Sequence, residues 1–218
     1  MNKPHDPLEI TPTLLLRAYA AGVFPMSDSS ASDEIFWVDP KMRGVLPLDG
    51  LHVSRSLRKF VRKNPYSVRV NYDFRGTVAD CADRSETWIN GEIMDLYETL
   101  YKLGYAHSVE VWEQDRRVGG LYGVAIGGGF FGESMFSRAP NTSKLALVHL
   151  VARLRAGGYT LLDTQFVTEH LISLGATEIL RAEYHIRLAH ALEQKADFFA
   201  LSPHATSDQV LHLSTQMS

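Results

Sequence analysis

Asp163 and Gln165 stand at i and i+2 of the stretch YTLLDTQF, and in an extended strand that spacing projects both side chains from one sheet face. A strand that follows a helical crossover is covered on both faces and reads as a near-continuous apolar run. Two polar side chains in such a strand cost several kcal/mol if they are buried unpaired. Either they are hydrogen-bonded to the scaffold, or they line a cleft at the strand's carboxyl end, where open α/β sheets bind ligands. The cleft is the favoured reading.

Glu133, in GFFGESMFS, is the second chemical candidate. Strict alternation puts Phe131, Glu133 and Met135 on one face, with Phe130, Gly132 and Ser134 on the other. A carboxylate there is either an outward-facing residue or a binding group, and its apolar company favours binding. Trp37 and Trp88 lie in loop-like contexts, FWVDP and ETWING, where a tryptophan can wall a pocket; Trp112 reads as sheet core. The nine histidines have no metal-ligand spacing, since His185 and His190 are five apart and miss a common helix face. Gly127–Gly129 lies between two strands rather than before a helix, so it is a hairpin and not a phosphate loop. The single cysteine, Cys81, excludes an internal disulfide or a cysteine-based zinc site, and reads as buried. No metal and no cofactor is expected.

The elements around these residues follow from periodicity. Residues 54–63 read as a helix with Arg55, Arg58, Lys59 and Arg62 at i, i+3, i+4 and i+7, and with Leu57 and Phe60 or Val61 opposite. SVRVNYDF alternates as a strand, and FRGTVADCADRS reads as a helix ending near Ser85. Asn90 is a good N-cap for a helix that stops at Gly104. Strands SVEVWEQ, VGGLYGVAIG and GFFGESMFS follow, then a helix from about Asn141 to Gly157. The strand YTLLDTQF, a short helix at TEHLISLG, a short strand near TEILR and a helix near YHIRLAHALEQ complete the pattern. From Ser67 the order is β-α-α-β-β-β-α-β-α-β, a mixed sheet with an antiparallel meander and a parallel crossover. The first 50 residues are short pieces with four prolines between Pro12 and Pro47, and FPMSDSSASDE reads as an exposed loop. They form a small N-terminal domain (1–50) ahead of a larger one (51–218).

Composition is that of a globular protein, with 45% apolar and 22% charged residues. No apolar run approaches the ~18 residues of a membrane span, and the start MNKPHDPLEI lacks a signal-peptide profile, so a cytoplasmic protein is expected. Net charge is −3, but Gly50 to Tyr72 holds six cations (Arg55, Arg58, Lys59, Arg62, Lys63, Arg69) and no acid. The remainder carries 16 basic against 25 acidic residues. Such a concentrated patch on an acidic chain suits local phosphate binding; a solvated helix face is the plain alternative.

The element order from Ser67 resembles the acetyltransferase fold of the GNAT class. Acyl-CoA members carry a glycine-rich turn that holds pyrophosphate at the start of the central helix; here that junction reads FSRAPNTSKLAL, without glycine. A CoA-dependent N-acetyltransferase is therefore the weaker rival, to be separated by acetyl-CoA binding. A non-catalytic RNA-binding module is the second rival, and the polar pair on a central strand argues against it. HVSRSLRKF, ETWIN, HSVEVWEQDRRVGGLYGVAIGGGFFGESMFS, NTSKLAL, LLDTQF and HLISLGA together resemble the leucyl/phenylalanyl-tRNA–protein transferases in order and spacing. The similarity covers roughly residues 12 to 190.

That resemblance implies a monomer with a small N-terminal domain and a GNAT-like mixed-sheet α/β catalytic domain. It implies transfer of Leu or Phe from aminoacyl-tRNA to proteins bearing N-terminal Arg or Lys, marking them for degradation. Asp163 and Gln165 match its catalytic pair; Trp37, Trp88, Phe130 and Glu133 match its aminoacyl and acceptor sites. Leu121 falls where some members have methionine, and Met135 completes the implied pocket beside Glu133. Arg55, Arg58, Lys59, Arg62 and Lys63 become the tRNA contacts, positioning the acceptor stem without reading its sequence. For such a transfer Gln165 is expected to accept a hydrogen bond from the attacking amine, oriented and polarised by Asp163; because an amide is a poor base, the proton goes to Asp163, to water or to the leaving ribose oxygen. FPMSDSS departs from the family's aromatic-rich run, and the tail after about Gln194 matches none of its motifs.

Overall fold

The computed structural model describes residues 10–27, 35–63, 65–84 and 87–215. In chain order its elements are α1 (Pro12–Ala20), β1 (Phe24–Ser27), β2 (Ile35–Val38), β3 (Met42–Val45), α2 (Arg55–Lys63), β4 (Ser67–Val70), α3 (Phe74–Ala82) and α4 (Gly91–Lys102). There follow β5 (Ala106–Glu113), β6 (Arg116–Ile126), β7 (Gly129–Ser137), α5 (Thr142–Ala156), β8 (Leu161–Gln165), α6 (Glu169–Ile172), β9 (Thr177–Leu180), α7 (Arg181–Leu192) and α8 (Ser207–Thr215). From β4 to β9 this is the order β-α-α-β-β-β-α-β-α-β expected from periodicity. The Ser/Asp-rich loop at 28–34 falls outside the described residues, and the helix expected to end near Ser85 stops at Ala82, with Asp83 as its C-cap.

Local chemistry accounts for the helix boundaries. Thr11 accepts from the Leu14 N–H at 3.2 Å and Pro12 occupies N1, where its missing donor costs nothing. Asn90 accepts from Ile93 N–H at 2.8 Å, and Gly104 follows the helix end with φ +83°. Asp73 caps α3 through Gly76 N–H at 3.0 Å.

One seven-stranded sheet runs β4-β5-β6-β7-β8-β3-β9, and β1 and β2 form a separate antiparallel pair. All pairings in the large sheet are antiparallel except β7 with β8, which run parallel because α5 crosses over between them. On one face, α2, α5 and α8 bury Leu57, Val61, Leu147, Val151 and Val210 against Val109, Leu121, Phe130 and Leu162. On the other, α1, α3, α4 and α7 bury Tyr19, Val78, Tyr97 and Leu188 against Tyr122, Val124 and Phe131. No described helix is long and apolar enough to cross a membrane.

The β1–β2 pair corrects two expectations, since Phe24–Ser27 of the stretch read as a loop is a strand and Trp37 lies on its partner strand. Two further features depart from what the sequence predicts. The strand β3, drawn from the stretch read as the N-terminal domain, lies inside the large sheet between β8 and β9. The tail beyond Gln194 ends in α8, which packs on α5 and α2.

Candidate active site

β7 and β8 pair only through Gly129, Phe130 and Phe131 against Leu161, Leu162 and Asp163, and then part. Bulges flank the opening. On β7, Tyr122 faces Ser134 and Gly123 faces Gly132, leaving Glu133 as the extra residue. On β8, Val45 faces Asp163 while Gly44 faces Gln165, leaving Thr164 extra. Gly44 is required there, because a Cβ would lie 2.8 Å from both the Phe166 carbonyl carbon and Thr164 Oγ1.

The bulge corrects the alternation expected for GFFGESMFS. Phe131 packs on the α4 side of the sheet, whereas Met135 packs on the α5 side, so the two do not share a face. Glu133, at the phase change, reaches both. It borders a cavity of about 350 Å³ and also meets the helices on the opposite face.

Three donors converge on Glu133. Tyr19 Oη donates to Oε1 at 2.7 Å, Tyr97 Oη to Oε2 at 2.8 Å, and Gln165 Nε2 to Oε1 at 3.0 Å. The two phenol oxygens are 2.6 Å apart. Burial pushes the Glu133 carboxyl up to about 7, against the hydrogen bonds from Tyr19, Tyr97 and Gln165, which favour its ionised form; the nearby Asp163 charge adds to the rise. Tyr19 and Tyr97 are held neutral, raised well above the usual phenol range by burial and then by the Glu133 charge.

Asp163 is fully buried and every contact it makes is with scaffold. Arg43 Nε lies 3.0 and 3.1 Å from its two oxygens and Nη2 lies 2.6 Å from Oδ2; Tyr184 Oη donates at 2.7 Å. Arg43, also buried, donates to Gly22 O at 3.0 Å and lies 4.4 Å from the Phe24 and Tyr184 ring centres. Asp163 meets Gln165 through the main chain: the Gln165 N–H donates to Oδ1 at 2.7 Å. That bond holds Gln165 at φ +62°, a left-handed conformation few non-glycine residues adopt. The carboxylate thus orients the Gln165 backbone and does not touch its amide. With Nε2 committed to Glu133, Gln165 Oε1 is left as an acceptor.

Leu121, Glu133 and Met135 line the cavity together with Leu147, Leu150 and Leu162. Tyr122 and Thr164 line it too, and each carries a buried hydroxyl without a hydrogen-bond partner. Trp88 supports the site indirectly, packing edge-on against Tyr97 with ring centres 6.2 Å apart. Phe130 is buried against Phe198, with ring centres 5.7 Å apart, and does not reach the cavity wall. Trp37 stands 39% exposed on β2, opposite Pro25. Trp112 is buried, as expected, and Cys81 is buried with its thiol pushed up to about 12 by burial.

Arg43, Tyr19, Tyr97 and Tyr184 were not singled out from sequence. Arg43 carries a signal in hindsight: a lone cation in the apolar run MRGVLPL. The tyrosines carry none, since Tyr19 and Tyr97 fall on the apolar faces of ordinary amphipathic helices.

On α2, Leu57 and Val61 face inward and Arg55, Arg58, Lys59, Arg62 and Lys63 line an open concavity. Arg62 differs from the expected unpaired cation, because its Nε meets Asp208 of α8 at 2.9 Å. No group of His, Cys, Asp and Glu able to hold a metal is found among the described residues.

The profile of the leucyl/phenylalanyl-tRNA protein transferases matches residues 45–189, and that of their N-terminal domain matches residues 9–41. The chain is 60% identical over 204 residues to a leucyl/phenylalanyl-tRNA–protein transferase of Ruegeria sp. (strain TM1040), covering 94% of this chain and 96% of that protein. It is 57% identical over 197 residues to a protein of that name from Dinoroseobacter shibae, covering 90% and 88%. A Rhodospirillum rubrum protein of the same name is 57% identical over 195 residues, covering 88% and 92%.

Proposed function

Because this chain belongs to the leucyl/phenylalanyl-tRNA–protein transferase family and is an aminoacyltransferase, we propose that it moves Leu or Phe from charged tRNA to the α-amino group of proteins beginning with Arg or Lys, marking them for proteolysis in the cytoplasm. The observation that carries the reading is the cavity at the parting of β7 and β8. It offers aliphatic wall for a Leu or Phe side chain, and Glu133 stands at its border. In an apolar pocket, exclusion of Ile or Val rests on shape.

Gln165 is the catalytic residue of the pair, holding the attacking amine through Oε1, and Asp163 is a positioning residue that holds Gln165 by its main chain. Leu121, Met135 and Glu133 form the substrate pocket. Trp88 and Phe130 support it from behind, and Trp37 lies on the side of the N-terminal hairpin. The small N-terminal unit ends before β3, which serves the catalytic sheet. The protein acts as a monomer.

The cations of α2 hold tRNA phosphates. Arg55→Ala with Arg58→Ala reduces the salt slope of tRNA binding by up to about 2, at roughly 0.9 per phosphate contact. Arg62→Ala changes it less, because Asp208 already shares that charge. An unchanged slope in the double variant removes α2 from the tRNA interface.

The direct test is transfer of radiolabelled leucine from charged tRNA to a peptide with N-terminal arginine, beside an N-terminal alanine control. Label is expected on the arginine peptide alone. No transfer from Leu-tRNA or Phe-tRNA overturns the proposed reaction.

A further inference from the structure

The Glu133, Tyr19 and Tyr97 cluster has a property that its role as pocket border does not require. Three close oxygen pairs join it: Tyr19 to Glu133, Tyr97 to Glu133, and Tyr19 to Tyr97. With Glu133 ionised, both phenol hydrogens point at the carboxylate and the Tyr19–Tyr97 pair has none. With Glu133 protonated there are three hydrogens for three pairs. The carboxyl then donates to Tyr19, Tyr19 to Tyr97, and Tyr97 back to the other carboxyl oxygen. The triangle thus closes a hydrogen-bonded ring when it gains one proton and satisfies a carboxylate when it loses one. Ring closure is cooperative, since each hydrogen bond polarises the next.

We propose that Glu133 is the catalytic proton acceptor for the incoming α-ammonium group, and that the two tyrosines stabilise both of its protonation states. The inference rests on the aminoacyl-transfer reading of this site. Near neutral pH an α-amino group with a pKa of about 8 is mostly protonated and cannot attack. Glu133, raised to about 7 by burial, lies close enough to that value for proton exchange in either direction. The ammonium gives one proton to Glu133, and the neutral nitrogen bonds to the ester carbonyl carbon. The carbon–oxygen bond to the ribose then breaks, the nitrogen's second proton passes to the departing ribose oxygen, and Glu133 releases its proton to solvent.

The groups facing Glu133 are accounted for on each side. Tyr19 comes from α1, Tyr97 from α4, and Gln165 with the Arg43–Asp163 ion pair from β8 and β3. Tyr122 of β6 is raised well above the phenol range by burial and then by the Glu133 charge, so it stays neutral. Arg84 and His170 line the same cavity without hydrogen-bonding Glu133.

The experiment is kcat/KM for transfer of leucine to the arginine peptide between pH 5.5 and 9.5, in the wild type, Glu133→Gln and Tyr97→Phe. The wild type is expected to rise about tenfold per pH unit up to about 7 and to fall above the amine's ~8; Glu133→Gln, which can use only amine already neutral in solution, is expected to rise up to ~8 without falling above it and to lose about 10²–10⁴-fold in rate near neutrality. Tyr97→Phe removes one donor to the carboxylate, so its acidic limb moves to higher pH; this arm decides the matter if Glu133→Gln does not fold. An acidic limb that stays at about 7 in Glu133→Gln, or that stays put in Tyr97→Phe, overturns the proposal. So does a Glu133→Gln loss confined to peptide KM. A wild type that transfers nothing fails at the earlier step, and the transferase reading falls with it.

Discussion

Asp163→Asn is expected to lower the unfolding free energy by about 3–5 kcal/mol, the range for removing one partner of a buried ion pair. For a chain of this size that is a fall in Tm of roughly 6–20 °C. The expectation follows from what Asp163 touches. It neutralises Arg43 in a place without water, and it accepts from Tyr184 and from the Gln165 main chain. An asparagine keeps the shape, but it leaves the guanidinium uncompensated and presents it with N–H groups. Transfer should fall as well, by a much larger factor than any rise in the KM for charged tRNA, because the Gln165 backbone loses the acceptor that holds it left-handed. A second variant separates the two roles. Arg43→Met with Asp163→Leu removes both charges and recovers much of the lost stability, since a buried pair is often replaceable by apolar residues. Transfer does not return with it. Recovery of both together would reduce Asp163 to a stabilising residue and end its place in the reaction.

The second expected result is a pH dependence of folding that needs no substrate. Glu133 has an ordinary value near 4.5 when unfolded and about 7 in the fold. Its folded value is raised, so its favourable contribution is complete below about 4.5 and is lost as pH rises through about 7. Burial of the charge then costs up to about 3 kcal/mol above neutrality, less where water in the cavity screens it. Relative to Glu133→Gln, which does not titrate, the wild type should lose stability between pH 5 and 8 in denaturant titrations. A constant difference between the two proteins across that window would mean that Glu133 is ionised throughout. It would then bind cations in the site without exchanging a proton.

Much of the architecture could be read from the chain because its elements are long and regular. The spacing of Ile93, Leu96, Tyr97 and Leu100 marks α4, and the run around Gly127–Gly129 marks the β6–β7 hairpin. The strand β3 escaped because MRGV is four residues without alternation, and its partners lie more than 110 residues away. Asp163, Gln165 and Glu133 stood out as polar residues in apolar strands, and the fold brings all three together. Periodicity failed at Glu133 itself, since a bulge changes the phase that alternation assumes. The partners of these residues were hidden for a different reason. Arg43, Tyr19, Tyr97 and Tyr184 come from four other elements, and long-range pairing leaves no local pattern. The cavity was likewise invisible, because it arises where two strands stop pairing.

The insertion of β3 between β8 and β9 has a consequence during synthesis. Residues 42–45 leave the ribosome early, yet both of their neighbours in the sheet belong to 161–180. At about 5–20 residues per second, the roughly 135 residues from Val45 to Leu180 take some 7–27 s to translate. Throughout that interval the nascent chain carries a strand without partners and an arginine without its carboxylate. Contacts of such long sequence separation also slow the final closure. A message truncated before codon 161 therefore yields no partial enzyme, only a chain with an open sheet edge for chaperones and proteases to find.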